Sequence, residues 1–457
     1  MKNLLKSIII CLIMAVMVLP TSAKILKDKD PSFDSVIKYS SLDKTSTIAV
    51  SVKDAKSGNV VYEYNEHKLL HPASTLKLFS TVPAVEALGQ DYSFKTQLFV
   101  DKSNNIYIKL GADPLLTSID LKYLVRNLRT QNLKTVNNIY IDDSIIDNVE
   151  WGTGWMWDDE VNPLMPKFSA YNLDDNLLKI NVSKTESGVS KIQSGSTYPI
   201  AIINKVCVST ISKVAVNRYN WYSPDIIELK GTVNTPVEIS VPISNMRRYF
   251  TYKLTELLNN DNIKYNSENF VSAIVPSDAR LLGEVSHSVK DVVPLVLKNS
   301  NNRASETLCK VASAKLYKST GTNELQTKLI KDFYAINYDN KNQVIIADAS
   351  GASRNNLISA DWMTSSLNKL YSSNSFDYLQ NNMAQAGDGT LASRLVDLRG
   401  NVWLKTGTLS NISAITGYVK AKNNKMYSVA ILIQNYGASK NEAKQIEDNI
   451  INLIYQL

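Results

Sequence analysis

Ser74-Thr75-Leu76-Lys77 places a hydroxyl and an amine three residues apart, on one side of any helix that holds both. Side chains at that spacing are about 5–6 Å apart between β-carbons, so the amine can fold back onto the hydroxyl. A lysine buried there loses its charge readily and can take the serine proton, the chemistry of an activated nucleophile for acyl transfer. Ser-x-x-Lys also occurs at Ser35 to Lys38, Ser41 to Lys44 and Ser366 to Lys369, where a solvated surface pair is the simpler reading. The context of Ser74 is different. His71-Pro72-Ala73 precedes it, and Leu76, Leu78, Phe79, Val82 and Val85 follow at spacings that predict the buried face of a helix opening at Ser74. A serine there can be a cap and nothing more, but a cap does not account for Lys77. Pro83 predicts a kink or restart further along.

Two other polar clusters suit the same chemistry. Lys405-Thr406-Gly407-Thr408 follows Val402-Trp403-Leu404, which reads as a strand. Ala414 to Ala421 and Met426 to Ile433, with a turn at Lys422 to Lys425 between them, predict an antiparallel meander. From Asn441 to Leu457, Ile446, Ile450, Leu453 and Ile454 share one face, so the chain is expected to end as a helix against that sheet. The Lys405 strand would then be an edge beside the site. Gly407 would let a substrate backbone come close, and the threonine hydroxyls with the lysine charge can bind a carboxylate. Ser300-Asn301-Asn302 is by itself an ordinary polar turn before a helix carrying Leu308, Cys309 and Val311. In the set, the serine can relay a proton to a departing amine, and the Asn302 amide can hold a substrate peptide group.

Histidine and metal chemistry are poorly provided for. The chain has three histidines, His67, His71 and His287. His71 could be argued as a partner of Ser74, but just before a proline and a helix start it reads as a turn residue. No H-E-x-x-H or paired C-x-x-C spacing calls for a metal, and no cofactor motif is present.

With 457 residues, 44% hydrophobic and 20% charged, the chain is long enough for more than one folded domain. Lys2 and Lys6, an apolar stretch from Ile8 to Leu19 and small residues at Thr21-Ser22-Ala23 predict an export signal over residues 1–23. An uncleaved anchor is the alternative, though the stretch is short for a span. Its removal takes away two lysines and no acid, so the formal charge falls from +7 to +5. No basic patch with interleaved aromatics suggests nucleic acid, whereas weak attraction to an anionic wall or membrane surface is expected. Cys207 and Cys309 could pair in an oxidising compartment, but two free, buried thiols are the favoured reading.

In this order the three motifs match the signature of penicillin-binding proteins and class A β-lactamases. The chain resembles the class C low-molecular-mass penicillin-binding proteins, the D-alanyl-D-alanine carboxypeptidase/endopeptidase family of serine DD-peptidases. Leu110-Gly111-Ala112-Asp113-Pro114, Ile141-Asp142-Asp143-Ser144, Gly154-Trp155-Met156-Trp157-Asp158-Asp159, Asp348-Ala349-Ser350-Gly351-Ala352-Ser353-Arg354 and Gly387-Asp388-Gly389-Thr390-Leu391 extend the likeness over most of the mature chain. Ala112 and Ala349 stand where glycine is common in the family. Ser300 lies 226 positions after Ser74 (300 minus 74), far more than the class A β-lactamase pattern requires, so an insertion must fill the interval. The resemblance implies an α+β fold: a β-lactamase/transpeptidase-like domain from residues 24–90 and 286–457, an inserted domain from 91–180 and 265–285, and a smaller β-rich domain nested at 181–264. Short runs at Lys179 to Val182, Ile200 to Val208, Ile226 to Val233 and Val237 to Val241 independently predict β structure there.

The resemblance also implies the function. Ser74 would attack the carbonyl before a terminal D-alanine of a peptidoglycan stem peptide, with D-alanine cross-links as further substrates. Lys77 would take its proton, and the N–H groups of Ser74 and Thr408 would hold the oxyanion. Ser300 would protonate the leaving amine, helped by Lys77 and Lys405. Asn302 would bind the substrate amide, and Lys405, Thr406 and Thr408 its carboxylate, with Gly407 alongside. Asp158 or Asp159 would face the amino group of a diamino-acid side chain, a solvated loop or cap being the plainer alternative. β-Lactams would acylate Ser74 and persist. The rivals are a β-lactamase, for which no Glu-x-x-Leu-Asn-like element is found, and a catalytically silent wall-binding scaffold. The expected location is the periplasm, or the envelope exterior where there is no outer membrane.

Overall fold

A computed structural model describes residues 32–218, 225–266, 270–336, 342–437 and 440–457. The expected export signal lies outside the described residues. Among them, no helix is long and apolar enough to cross a membrane.

Val402–Leu409, Ile412–Lys420 and Met426–Gln434 form the antiparallel meander read from the sequence. The other end of the chain completes the sheet. Thr47–Asp54 pairs antiparallel with Met426–Gln434, setting Val50 opposite Ile431, and Val60–Tyr64 lies outside it. At the far side a two-residue strand, Ala384–Gln385, brings the total to six. The central strands are covered on both faces, which is why they read as nearly unbroken apolar runs. Val50, Val52, Ile415, Val419, Ile431 and Ile433 pack on Ile446, Ile450, Ile451 and Ile454 of the C-terminal helix Lys440–Gln456. Ala49, Ala414, Tyr418, Ala430 and Leu432 turn the other way, into the core shared with the helices Leu76–Leu88, Val289–Leu297, Asn302–Tyr317, Asn323–Phe333 and Ala360–Tyr371.

Two expectations about Leu76–Leu88 are corrected. The helix runs through Pro83 as one element instead of restarting there. Its burial is also not confined to one face, since every residue from Leu76 to Val85 is buried. Both have one cause: the helix is central, packed against Asn302–Tyr317, Asn323–Phe333 and Val289–Leu297, and that packing holds the turn whose backbone bond Pro83 cannot make.

The chain leaves this layer along Ser93–Val100 and returns along Arg280–Ser288, two strands that pair antiparallel with Phe94 opposite His287. They belong to a five-stranded sheet with Ile106–Lys109, Ile139–Asp142 and Val271–Ser272, covered by the helices Ser118–Thr130 and Met246–Asn260. Within this excursion the predicted strands are present as Leu177–Lys184, Ala201–Val208, Ile226–Val233 and Val237–Pro242. They join Ser190–Ser194 and Lys213–Arg218 in two three-stranded sheets around Ile180, Val182, Val206, Ile227, Leu229, Val233 and Val241. Cys207 and Cys309 are both free, and Cys309 is buried as expected. Cys207 is exposed, against the expectation of two buried thiols, because it alternates with inward-facing Val206 on Ala201–Val208 and so points outward.

Candidate active site

Ser74 sits in a single turn of 3₁₀ helix, Ala73–Thr75, that leads directly into Leu76–Leu88. Ala73 is held at φ 47°, a left-handed conformation that costs a non-glycine residue about 1–3 kcal/mol. Two glycines make room for the strained turn. A β-carbon on Gly351 would stand 1.9 Å from the Ala73 carbonyl oxygen, and one on Gly407 would stand 2.8 Å from the Pro72 carbonyl oxygen and 3.0 Å from the Ser74 nitrogen. On the side where a β-carbon would stand, the space beside Gly407 is therefore filled by the Ser74 turn. The Gly407–Thr408 backbone consequently runs beside the Ser74 amide.

Lys77 is fully buried one turn on. Its Nζ lies 3.0 Å from Ser74 Oγ, 2.5 Å from Asn302 Oδ1 and 2.7 Å from the Ser350 carbonyl oxygen. Asn302 Oδ1 and the Ser350 carbonyl can only accept. A neutral amine has two N–H bonds and one lone pair, so once those two acceptors are served the lone pair is left for the Ser74 hydroxyl. Burial favours this neutral form, bringing the Lys77 pKa from 10.5 down to about 7, with Asp348 and Glu306 pulling the other way.

Lys405 is also fully buried, and its Nζ donates to Ser300 Oγ at 2.9 Å and to the Thr406 carbonyl at 2.9 Å. Burial, with a smaller contribution from Lys77, holds its pKa well below the ordinary lysine value. Ser300 adopts φ 62° at the end of a turn that Asn301 closes by capping Asn302–Tyr317, its side chain accepting from the Ala304 N–H at 2.9 Å. Asn302 faces two ways: its Oδ1 meets Lys77, while its Nδ2 donates to the Leu164 carbonyl at 2.8 Å and to Met165 Sδ at 3.0 Å.

These groups open on one cleft of about 830 Å³, lined among others by Ser74, Ser300, Asn302, Thr406, Thr408 and Arg354. Ala384–Gln385 pairs only with Leu404 and Trp403, so from Lys405 onward the strand is a free edge along this cleft. Asp158 and Asp159 also line this cleft. Asp158 is exposed, whereas Asp159 is half-buried, accepts the Met156 N–H at 3.2 Å and has its pKa raised by burial. The three histidines are elsewhere engaged: His71 Nδ1 meets the Asn356 carbonyl at 3.1 Å, His67 lies beside Glu66 and Asp361, and His287 pairs with Asp113 at 2.7 Å. Among the described residues, no group of three or more His, Cys, Asp or Glu side chains could hold a metal ion.

The sequence reading gave no role to Glu306 or Asp348, both fully buried behind Lys77. A signal was available for Glu306. It lies four residues after Asn302 and therefore on the same helical face, an acid where solvent is excluded.

The model of the D-Ala-D-Ala carboxypeptidase 3 (S13) family matches residues 32–457. The D-alanyl-D-alanine carboxypeptidase DacB of Haemophilus influenzae is 25% identical over 451 residues, covering 91% of this chain and 92% of that protein. The crystal structure of penicillin binding protein 4 (dacB) from Haemophilus influenzae shares the fold with a TM-score of 0.82 at 23% identity, covering 94% of this chain and 100% of that one. Its complex with a β-lactam gives 0.77 at 22% identity over the same shares. The expected α+β architecture, a β-lactamase/transpeptidase-like domain with large insertions, is thus the fold of this chain.

Proposed function

The chain belongs to the D-Ala-D-Ala carboxypeptidase 3 (S13) family, and on that premise we propose how its cleft carries out the reaction. The protein is a serine-type D-alanyl-D-alanine carboxypeptidase, a hydrolase of the penicillin-binding class acting on peptidoglycan stem peptides. Neutral Lys77 takes the Ser74 proton as Oγ bonds to the carbonyl carbon before the terminal D-alanine. The oxyanion is held by the N–H groups of Ser74 and Thr408, each worth roughly 3–4 kcal/mol in such sites. Lys77 and Lys405 feed a proton through Ser300 to the departing amine, D-alanine leaves, and water then releases the acyl group from Ser74. Thr406 and Thr408 bind the terminal carboxylate along the free edge. Lys405, enclosed behind Ser300, holds the Ser300 hydroxyl at 2.9 Å and so supports the proton relay. Asn302 exchanges its bond to the 164–165 segment for the substrate amide, and Asp158 meets the side-chain amine.

One observation carries this reading: a buried lysine with two of its hydrogens claimed by pure acceptors and Ser74 at 3.0 Å as the remaining partner. A catalytically silent scaffold gives no reason to bury that amine. β-Lactams mimic the end of the substrate, and the relative solved with a β-lactam supports the same covalent inhibition here. No Glu-x-x-Leu-Asn-like element is available to activate water, so penicillin turnover is expected to be slow. Cleavage of cross-links between stem peptides is proposed as a second activity, and the residue 1–23 segment as the signal that exports the protein to the periplasm or outer envelope.

Digestion of purified monomeric and cross-linked muropeptides tests the proposal. Loss of one D-alanine from pentapeptide, and monomers from dimers, are expected by product mass, with neither seen for Ser74→Ala. Intact-mass analysis should show one penicillin adduct per chain, absent in that variant. Penicillin hydrolysis at many turnovers per second would select the β-lactamase reading instead.

A further inference from the structure

The proton transfers above leave two carboxylates behind Lys77 unused. Glu306 Oε1 accepts the Ser350 N–H at 2.8 Å and the Ala349 N–H at 3.2 Å, and its Oε2 accepts from Gln326 Nε2 at 2.7 Å. Asp348 accepts the Gly351 N–H at 2.8 Å, the Ser353 N–H at 2.7 Å, Trp155 Nε1 at 2.9 Å and Asn356 Nδ2 at 2.7 Å. These partners, with the Ser350 hydroxyl at 3.1 Å from Asp348 Oδ2, are all donors, which suits the ionised form, while burial and the neighbouring Asp348 push the Glu306 pKa up to about 7. The two acids grip the 348–351 turn from either side. From the front, Ser80 Oγ and Ser305 Oγ both donate to the Ala349 carbonyl, at 2.6 and 3.0 Å. The peptide between Ala349 and Ser350 is thus fixed at its oxygen and at its nitrogen, and the next carbonyl, that of Ser350, is the one that receives Lys77.

We infer that Glu306 is a positioning residue for the reaction: by holding the Ala349 and Ser350 N–H groups it fixes the Ser350 carbonyl on Lys77 Nζ, and so keeps the lone pair of the amine aimed at Ser74. The inference rests on Lys77 being the base. It has two parts that separate experimentally, a geometric grip and a charge. Facing Glu306 are Asp348 from the turn, Lys77 from the nucleophile helix, Cys309 from its own helix and the neutral Gln326 from Asn323–Phe333; Lys405 faces Lys77 from the strand. Within that group the Glu306 charge favours protonated Lys77, so deleting it lets the lysine become neutral at lower pH.

The test compares Glu306→Gln, which keeps the shape and one accepting oxygen, with Glu306→Ala, which removes the grip. Acylation by a fluorescent penicillin and D-alanine release from diacetyl-lysyl-D-alanyl-D-alanine are measured from pH 5 to 9.5. For Glu306→Gln the acid limb is expected to move down by roughly half a pH unit or more, with the plateau within about tenfold of wild type. For Glu306→Ala the plateau of kcat should fall about a hundredfold, the scale of a catalytic group misplaced by an ångström, while KM stays within about threefold. A wild-type limb and wild-type kcat per folded molecule in the variants would overturn the inference, even if their melting temperatures fall. Should Glu306→Ala not fold, the limb of Glu306→Gln decides alone. Mass mapping keeps the two readings apart: an adduct at Ser74 with an unmoved limb and an unchanged kcat sinks the role of Glu306 only, whereas a wild-type adduct at another residue removes the reading of Ser74 and Lys77 on which it stands.

Discussion

If Lys77 is the base, the acylation rate must follow the fraction of the lysine that is neutral. A lysine titrating at about 7 is roughly three-quarters neutral at pH 7.5, whereas one at the ordinary 10.5 is neutral in about one molecule in a thousand. The burial of this one amine therefore raises the competent fraction by several hundredfold, equivalent to about 4 kcal/mol on the effective barrier. The sign follows from the role: protonation disables a base, so the rate should be flat above neutrality and fall tenfold per pH unit below about 7. Stopped-flow measurement of the second-order rate constant with a fluorescent penicillin, at fixed ionic strength from pH 5 to 10, gives this curve directly. Lys77→Arg, charged throughout, should lie about 10²- to 10⁴-fold below it and lose the limb. A wild-type rate that keeps climbing with unit slope to pH 10 would show an ordinary solvated lysine. One that stays level down to pH 5 would show that this amine takes no proton.

Three further outcomes follow from the geometry. Gly351→Ala forces a β-carbon into the Ala73 carbonyl at a φ of 76°, and should lower stability by roughly 2–3 kcal/mol, seen as a lower melting temperature, with nucleophile reactivity reduced in the protein that remains folded. Asp158→Ala should weaken kcat/KM about 10- to 100-fold on a stem peptide with a free side-chain amine and leave the diacetylated tripeptide unchanged, while Asp159→Ala, which also loses the Met156 N–H bond, should slow both; equal loss on both substrates from Asp158→Ala would remove it from recognition. Asn302→Ala takes one acceptor from Lys77 and the tie to Leu164, and should cut acylation about a hundredfold with a small change in melting temperature.

The meeting of Ser74 and Lys77 was legible because helical spacing is local: the two side chains come together through three residues of backbone, whatever surrounds them. The meander and last helix were legible for the same reason, each carrying its own period and turn residues. What sequence concealed depends on distant chain. That Pro72 and Ser74 pack against Gly407 is invisible until the fold brings them there, and Pro83 looks like a break until the surrounding helices are seen to enclose it. The outward turn of Cys207 needed the phase of its strand, fixed by a core formed with Ile227 and Leu229. The left-handed Ala73 and Ser300 give no sign in sequence, since neither alanine nor serine favours that conformation. Glu306 was within reach of helical spacing and was passed over because acids on helices usually face water.

The central sheet joins Thr47–Asp54 to Met426–Gln434, and the two buried lysines of the cleft are Lys77 and Lys405. Ser74 therefore leaves the ribosome long before the strand that will complete its surroundings. Roughly 300 residues separate the lysines, which at ordinary elongation rates is on the order of half a minute. Throughout that interval the emerging polypeptide has Ser74 but no strand edge beside it, so a hydrolase acting on peptidoglycan has no assembled cleft until its final strands dock.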